Sequence, residues 1–408
     1  MLYEKINILI IGNGFKVEAL AKKFRTNPNV EKIYITNYNS FESNFCNYID
    51  IRENDITGLL KFAIENNVNL TIPVSEVAIK NDIVSFFEAN GQNIFGPVKH
   101  ACSILFNKAI QKKLLYRIKA PIPKFAIFNK MQPVREYLKT SVFPVRIFGN
   151  ENESQNYICT TESKALNCAE KLINSGETDI IIQDYIFGLP TTTYFITDGY
   201  SILPINSALN YIFKSDDNAV ISKDIGSYSP DYRITNSINE NLLQIGQNII
   251  SSINSRGNSY MGILGIEFIF TNNNFYVTNL TNFMKDSDAH AILNSVEDDL
   301  LKMFYSCING FFADEYSKIC TNNLYSVSVI AQSSYDNNKE EKPYEDDDFD
   351  ISPNTKNSRH IFNKNSSFMI TKSASTLSHA RKLVYNELSE ISTKFEYKKD
   401  IGLNSSRI

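Results

Sequence analysis

The chain has no tryptophan, and only four histidines and six cysteines in 408 residues. The cysteines, Cys46, Cys102, Cys159, Cys168, Cys307 and Cys320, include no C-x-x-C pair, and no histidine cluster lies beside them. That argues against a metal or disulfide framework and for reduced, mostly buried thiols. His100, His290, His360 and His379 lack the spacing of a metal-binding pair. There is no G-x-S-x-G elbow and no cysteine with a base beside it in the sequence. Long apolar runs are missing too. The longest near the N-terminus, Ile8 to Ile11, is far too short to span a bilayer. Glu4 and Lys5 precede it and no small-residue cleavage site follows, so a signal peptide is not expected. The expected location is cytoplasmic. The formal net charge of −4 argues against a nucleic-acid or membrane partner.

What is present is ordinary for a soluble protein: 43% hydrophobic and 21% charged residues. The length exceeds one compact core, so two to four structural units are expected. The first hundred residues alternate strand and helix. Ile6 to Ile11 reads as a buried parallel strand, Gly12-Asn13-Gly14 turns the chain, and Val17, Leu20, Ala21 and Phe24 fall at helical spacing. Lys32 to Thr36 and Asn69 to Pro73 read as strands. Ile56 to Ile64, capped by Asp55, and Ile79 to Ala89 read as helices. This βαβ rhythm predicts a doubly wound sheet. Ala101 to Ile118 reads as one helix. Strands at Phe125 to Phe128, Val142 to Phe148, Tyr157 to Thr160 and Asp179 to Tyr185, with helices around Val134 to Leu138 and Ser163 to Ile173, predict a small α+β unit. Hairpins are predicted across Asp198-Gly199 and Asn272-Asn273, with helices at Asn239 to Ile253 and Glu297 to Ile308. Asp336 to Asp350 carries eight acidic residues and reads as a solvated loop. Phe368 to Lys372 and Leu377 to Ser389 read as a final strand and helix.

Six segments in order carry a resemblance to a known family. They are IIGNGFKVEAL, NLTIPVSE, IFGPVKHACSILFNKAIQKKLL, IIIQDYIFGLPTTTYFITDG, GSYSPD and EYKKDIG. Together they resemble phosphoribosylamine–glycine ligase (glycinamide ribonucleotide synthetase), a member of the ATP-grasp superfamily. The resemblance implies an α/β and α+β multidomain protein. Residues 1–100 would form an N-terminal doubly wound domain and 101–325 the ATP-grasp region, with a lid-like subdomain at about 124–188. Residues 326–408 would form a small C-terminal α+β domain. The family joins glycine to 5-phosphoribosylamine in purine biosynthesis, and it uses ATP and magnesium.

The resemblance also implies site residues. Lys108 matches the lysine that reaches ATP phosphates. The second such lysine falls on Phe148, with Arg146 two residues back on the same strand face as the remaining cation. The glycine-rich phosphate loop becomes Asn150-Glu151-Asn152-Glu153-Ser154, where two glutamates replace the close backbone approach that glycine allows. Gln183 and Asp184 stand for paired glutamates, and Tyr185 and Ile186 offer backbone contacts to adenine. The ribose-binding glutamate falls on Pro190. Where the family reads EFN-x-RFGDPE, this chain reads NLTNFMKDSD, so only Asp286 matches and Asp288 replaces the last glutamate. Glu267 and Asn279 are the candidate metal oxygens. Gly12, Gly14 and Glu76 match substrate-side positions, and QDHKR becomes Ala208-Leu209-Asn210-Tyr211-Ile212. Fold elements persist while polar site residues do not. The expectation is a non-catalytic paralogue, in which ATP and magnesium binding are both in doubt and the partner is a nucleotide or a purine enzyme. The alternative is a divergent carboxylate–amine ligase that relies on Lys108, Arg146, Glu267 and Asp286.

Overall fold

A computed structural model describes residues 5–36, 46–150, 156–213, 223–257, 259–271, 274–333, 367–391 and 395–403. Three sheets organise it. The first is built from β1 (Ile6–Ile11), α1 (Phe15–Arg25), β2 (Val30–Ile35), β3 (Cys46–Tyr48), α2 (Ile56–Glu65), β4 (Val68–Pro73), α3 (Glu76–Lys80) and α4 (Ile83–Ala89). Its strands are all parallel in the order β3-β2-β1-β4. Strand β1 shows why its sequence is apolar throughout. Ile8 and Ile10 pack on the side of α1, and Leu9 and Ile11 pack on the side of α2 and α4. Both faces are covered, as a parallel sheet requires. The expected helix Ile79 to Ala89 is interrupted. Asp82 adopts a left-handed conformation (φ 62°) between α3 and α4, and Ser75 caps α3 through Ala78 N–H.

The single helix expected over Ala101 to Ile118 is also two, α5 (Lys99–Phe106) and α6 (Lys108–Arg117). Asn107 is extended, and its side-chain oxygen accepts from Ile110 N–H at 2.8 Å, capping α6. The second sheet combines β5 (Phe125–Phe128), α7 (Met131–Leu138), β6 (Val145–Gly149), β7 (Asn156–Cys159), α8 (Glu162–Asn174) and β8 (Ile180–Asp184), in the antiparallel order β5-β8-β6-β7. Val145, Ile147, Ile180 and Ile182 pack with α7 and α8, while Phe148 and Ile181 meet Ala109 of α6.

The large sheet follows: β9 (Pro190–Thr197), β10 (Ile202–Phe213), β11 (Lys223–Ser229), α9 (Asn236–Asn254), β12 (Gly262–Phe270), β13 (Phe275–Thr281), α10 (Asp286–Leu293), α11 (Leu300–Ile308) and α12 (Phe312–Glu315). The Asp198-Gly199 turn forms as expected, with Asp198 accepting from Tyr200 and Ser201 N–H and Gly199 at φ +96°. The last segment adds β14 (Tyr325–Ser333), β15 (Ser367–Ala374), α13 (Leu377–Glu390) and β16 (Phe395–Glu396). Its strands hydrogen-bond onto β11, so one antiparallel sheet runs β13-β12-β9-β10-β11-β14-β15, with β16 on β14. The sheet therefore runs across the expected boundary between residues 325 and 326. Glu151 to Ser154, the Asn272-Asn273 turn and the acidic run Asp336 to Asp350 lie outside the described residues. Among the described residues no helix is long and apolar enough to cross a membrane.

Candidate functional site

Glu267 on β12 and Asn279 on β13 lie opposite each other in register, so the hairpin brings the two candidate metal oxygens together. Each is already engaged by a lysine. Lys108, the first residue of α6, donates from Nζ to Asn279 Oδ1 at 2.9 Å. Lys285, just before α10, donates to Glu267 Oε2 at 2.7 Å and to Asn210 Oδ1 at 3.2 Å. The other Glu267 oxygen accepts from the Thr278 hydroxyl at 2.9 Å. Burial pushes the Glu267 carboxyl up, but Lys285, Arg146 and the Thr278 hydroxyl outweigh it and hold the group at about 2. Burial works against the Lys285 ammonium as well. Glu267 and Asp288 overcome it, leaving Lys285 above the ordinary lysine value and fully charged.

A hydrogen-bonded chain continues behind Lys285. Thr192 donates to Asn210 Oδ1 at 3.1 Å, Asn210 Nδ2 donates to Asp288 Oδ1, and the Tyr194 hydroxyl donates to Asp288 Oδ2 at 2.8 Å. Asp288 is fully buried, and burial lifts its carboxyl to about 7. Lys112, one turn along α6 from Lys108, is 1% exposed, with its ammonium 2.9 Å from the Thr278 carbonyl oxygen. Burial, with Arg146 and Lys108 nearby, lowers it to about 7.

From the small sheet, Arg146 faces this cluster. It lies on the same strand face as Phe148, its guanidinium 5.0 Å from that ring, and its Nε donates to Asn156 Oδ1 at 2.8 Å. Gln183, its register partner on β8, is buried. Asp184 ends β8, its N–H donating to Lys124 O at 2.9 Å, and Tyr185 N–H donates to Pro144 O at 3.3 Å. Tyr185 packs edge-on against Phe187 with ring centroids 4.8 Å apart, and Ile186 is half-buried beyond the strand. Pro190, at the ribose-binding position, opens β9.

The substrate-side residues sit elsewhere. Gly12 (φ +151°) lies so close to Val74 that an added Cβ would come within 2.7 Å of its side chain. A Cβ added at Gly14 (φ +86°) would likewise come within 2.6 Å of Asp286 Oδ1. Asp286 uses that oxygen to accept from Lys16 N–H at 3.0 Å, so it caps α1 from the start of α10. Glu76 opens α3, exposed and 2.5 Å from Lys80. The structure thus gathers Lys108, Arg146, Glu267 and Asn279. It places Asp286 at a helix end and Glu76 on a surface ion pair.

These residues do not fit a magnesium ion, which takes an octahedral oxygen shell. Glu267 is tied to an ammonium, and Asn279 is bound to another. Among the described residues no group of three or more His, Cys, Asp or Glu could hold a metal ion. Spacing does not point to Lys285. The signal in the sequence is a lysine where the resembling motif has glycine, and Lys112, Tyr194 and Asp288 are polar residues that only the fold brings together.

Two family models match the chain: phosphoribosylglycinamide synthetase, N domain, over residues 6–104, and phosphoribosylglycinamide synthetase, ATP-grasp (A) domain, over 106–289. The phosphoribosylamine–glycine ligase of Halalkalibacterium halodurans is 24% identical, covering 97% of this chain and 96% of that protein. That of Caldanaerobacter subterraneus is 23% identical over 97% and 99%. Among solved structures, phosphoribosylamine–glycine ligase from Thermotoga maritima superposes with a TM-score of 0.78 at 14% identity, covering 97% of this chain and 100% of that one. Biotin carboxylase from Campylobacter jejuni, described as a beta-gamma-ATP complex, gives 0.74 at 13% identity over 98% and 95%. The chain belongs to the phosphoribosylamine–glycine ligase family of ATP-grasp proteins.

Proposed function

We propose that this chain keeps the ATP-grasp scaffold of its family but does not join glycine to 5-phosphoribosylamine, and that it acts as a cytoplasmic, non-catalytic paralogue binding a nucleotide or a purine enzyme. The observation that carries this reading is the pairing of both candidate metal oxygens with lysines: Glu267 with Lys285 and Asn279 with Lys108. The family reaction passes through an acyl phosphate, and phosphoryl transfer depends on cations placed over the moving charge. Here the ammonium of Lys285 sits against Glu267, where the family resemblance would place a metal ion. The ribose position is a proline, and Tyr185 N–H, an expected adenine donor, is bonded to Pro144 O. Loss of one donor to the charge developing in the transition state commonly reduces the rate by about 10²–10³. A divergent active ligase is favoured by one feature, the retained pair of Lys108 and Arg146 at the cluster.

The test is a calorimetric titration with ATP and magnesium, followed by phosphate release with glycine and phosphoribosylamine. Magnesium is expected to add nothing to ATP binding, and no phosphate release above background is expected. Turnover of roughly one per second or faster would establish the ligase instead.

A further inference from the structure

A divalent cation in a phosphoryl-transfer site bridges protein carboxylates to phosphate oxygens. The Lys285 ammonium already makes the protein half of such a bridge. An ammonium has three donors. Lys285 directs one to Glu267 and one to Asn210, and its side chain remains 27% exposed. Neither bond is left to chance, because β12 and β13 fix Glu267 and the buried Asn210 is fixed in turn by Thr192 and Asp288. The surroundings are cationic. Arg146 interacts electrostatically with Glu267 and Lys112, and Lys108 with Lys112. Among the described residues, Arg146, Lys108 and Lys285 stand against Glu267, with Asp288 and Asp224 behind Lys285, and Lys112 adds its charge only below about pH 7. Burial lifts the Asp288 carboxyl to about 7, which weakens its opposition near neutral pH.

We propose that Lys285 is a tethered replacement for the divalent cation: its ammonium links Glu267 to a phosphate oxygen of a nucleoside polyphosphate, so the cleft takes that anion without metal. The inference rests on the reading of Glu267 and Asn279 given above, and it extends that reading from the loss of a metal site to the gain of a different one. A lysine carries one charge where magnesium carries two. Arg146 and Lys108 on the flanking elements supply the remainder without needing to be recruited from solution. The bridge needs no free cation, so it is insensitive to chelators.

The experiment titrates the full-length protein with ADP by calorimetry, once in EDTA and once in excess magnesium chloride. The two dissociation constants are expected to agree within about threefold, whereas a metal-bridged site would lose far more on chelation. Lys285→Met is expected to weaken ADP binding in EDTA by about tenfold or more, the scale of a lost charge-assisted hydrogen bond. Lys285→Arg keeps the charge but not the compact ammonium, and its ADP affinity in EDTA is expected to lie between those of the parent and Lys285→Met. The double variant Lys285→Met with Glu267→Gln removes the unpaired carboxylate and should bind as weakly as Lys285→Met. It serves as the readout if the single variant does not fold. ADP binding that is tighter by about tenfold or more in magnesium would overturn the proposal. So would an absence of ADP binding in EDTA, or unchanged affinity in a folded methionine variant. The two proposals fail separately. Phosphate release with the family substrates overturns the non-catalytic reading alone. Magnesium-dependent ADP binding without turnover overturns the tethered cation alone.

Discussion

Lys112 is buried beside the Glu267–Asn279 pair with its ammonium on a carbonyl oxygen, that of Thr278, and this has a measurable consequence. Desolvation, then Arg146 and Lys108, bring its pKa from 10.5 to about 7. Below that value the folded chain must keep a buried ammonium, and the full penalty is present. Between about 7 and 10.5 the unfolded chain holds a proton that the folded chain has released, so stability rises with pH. One such proton gives a slope of up to about 1.4 kcal/mol per pH unit. In urea denaturation from pH 7 to 9.5, Lys112→Met should flatten the curve relative to the parent, with the difference between the two narrowing as pH rises. Parallel curves would mean that the lysine stays charged in the folded state. The residue scale also shows what the sequence made legible. Lys108, Arg146, Glu267 and Asn279 were identifiable by their places in ordered motifs, and strand register brings Glu267 and Asn279 side by side. Lys285 and Lys112 were not, because a lysine is an ordinary surface residue until the fold removes its water.

At the scale of the element, the N-terminus of α1 depends on a partner 270 residues away. Its N-cap, Gly14, has no side chain to offer, and Asp286 supplies the missing acceptor to Lys16 N–H while its charge faces the positive end of the helix. Asp286→Ala should therefore lower stability by about 1–2 kcal/mol in urea denaturation. Gly14→Ala should cost more. The added methyl would displace the same carboxylate and also strain a backbone at φ +86°. The double variant should cost less than the sum of the two, since both remove one contact. Strict additivity would show that Gly14 and Asp286 act independently. The matching of Asp286 to a family motif suggested chemistry, but its oxygen is already used in holding α1 to α10. A related limit governs the helix breaks at Asp82 and Asn107. Apolar spacing runs straight through both, and only a left-handed φ in one and an extended residue in the other separate the helices. Periodicity reports which face is buried, and it is nearly blind to a one-residue change of direction.

Across the whole molecule the apolar cores are unequally connected. One core joins the parallel sheet to the large sheet, combining Ile8 and Phe24 with Tyr194, Ile205, Leu293 and Phe304. The small sheet has a core of its own, centred on Val134, Ile147, Ala169, Leu172 and Ile182. Its apolar contact with α6 is narrow: Ala109, Phe148 and Ile181, with Ile127 beside them. The alternation within β6 and β8 produces this division, since every second residue faces α7 and α8 while Phe148 and Ile181 face Ala109 of α6. A unit built in this way should open and close largely on its own, carrying Arg146 toward or away from Glu267 and Lys112. Leu172 is fully buried at its centre. Leu172→Ala should destabilise the small unit by about 3 kcal/mol, within the range for deleting a buried leucine side chain. In native-state hydrogen exchange, protection should fall across β5 to β8 and α8 while β1 and β4 keep theirs. Equal loss in both regions would show that the molecule opens as one cooperative block. In that case Arg146 would be fixed to the cluster and could not close over a ligand. Adding ADP to Leu172→Ala then separates closure from rigidity. If the polyphosphate bridges Lys285 to Arg146, protection in β6 and β8 should partly return, and it should return equally well in EDTA.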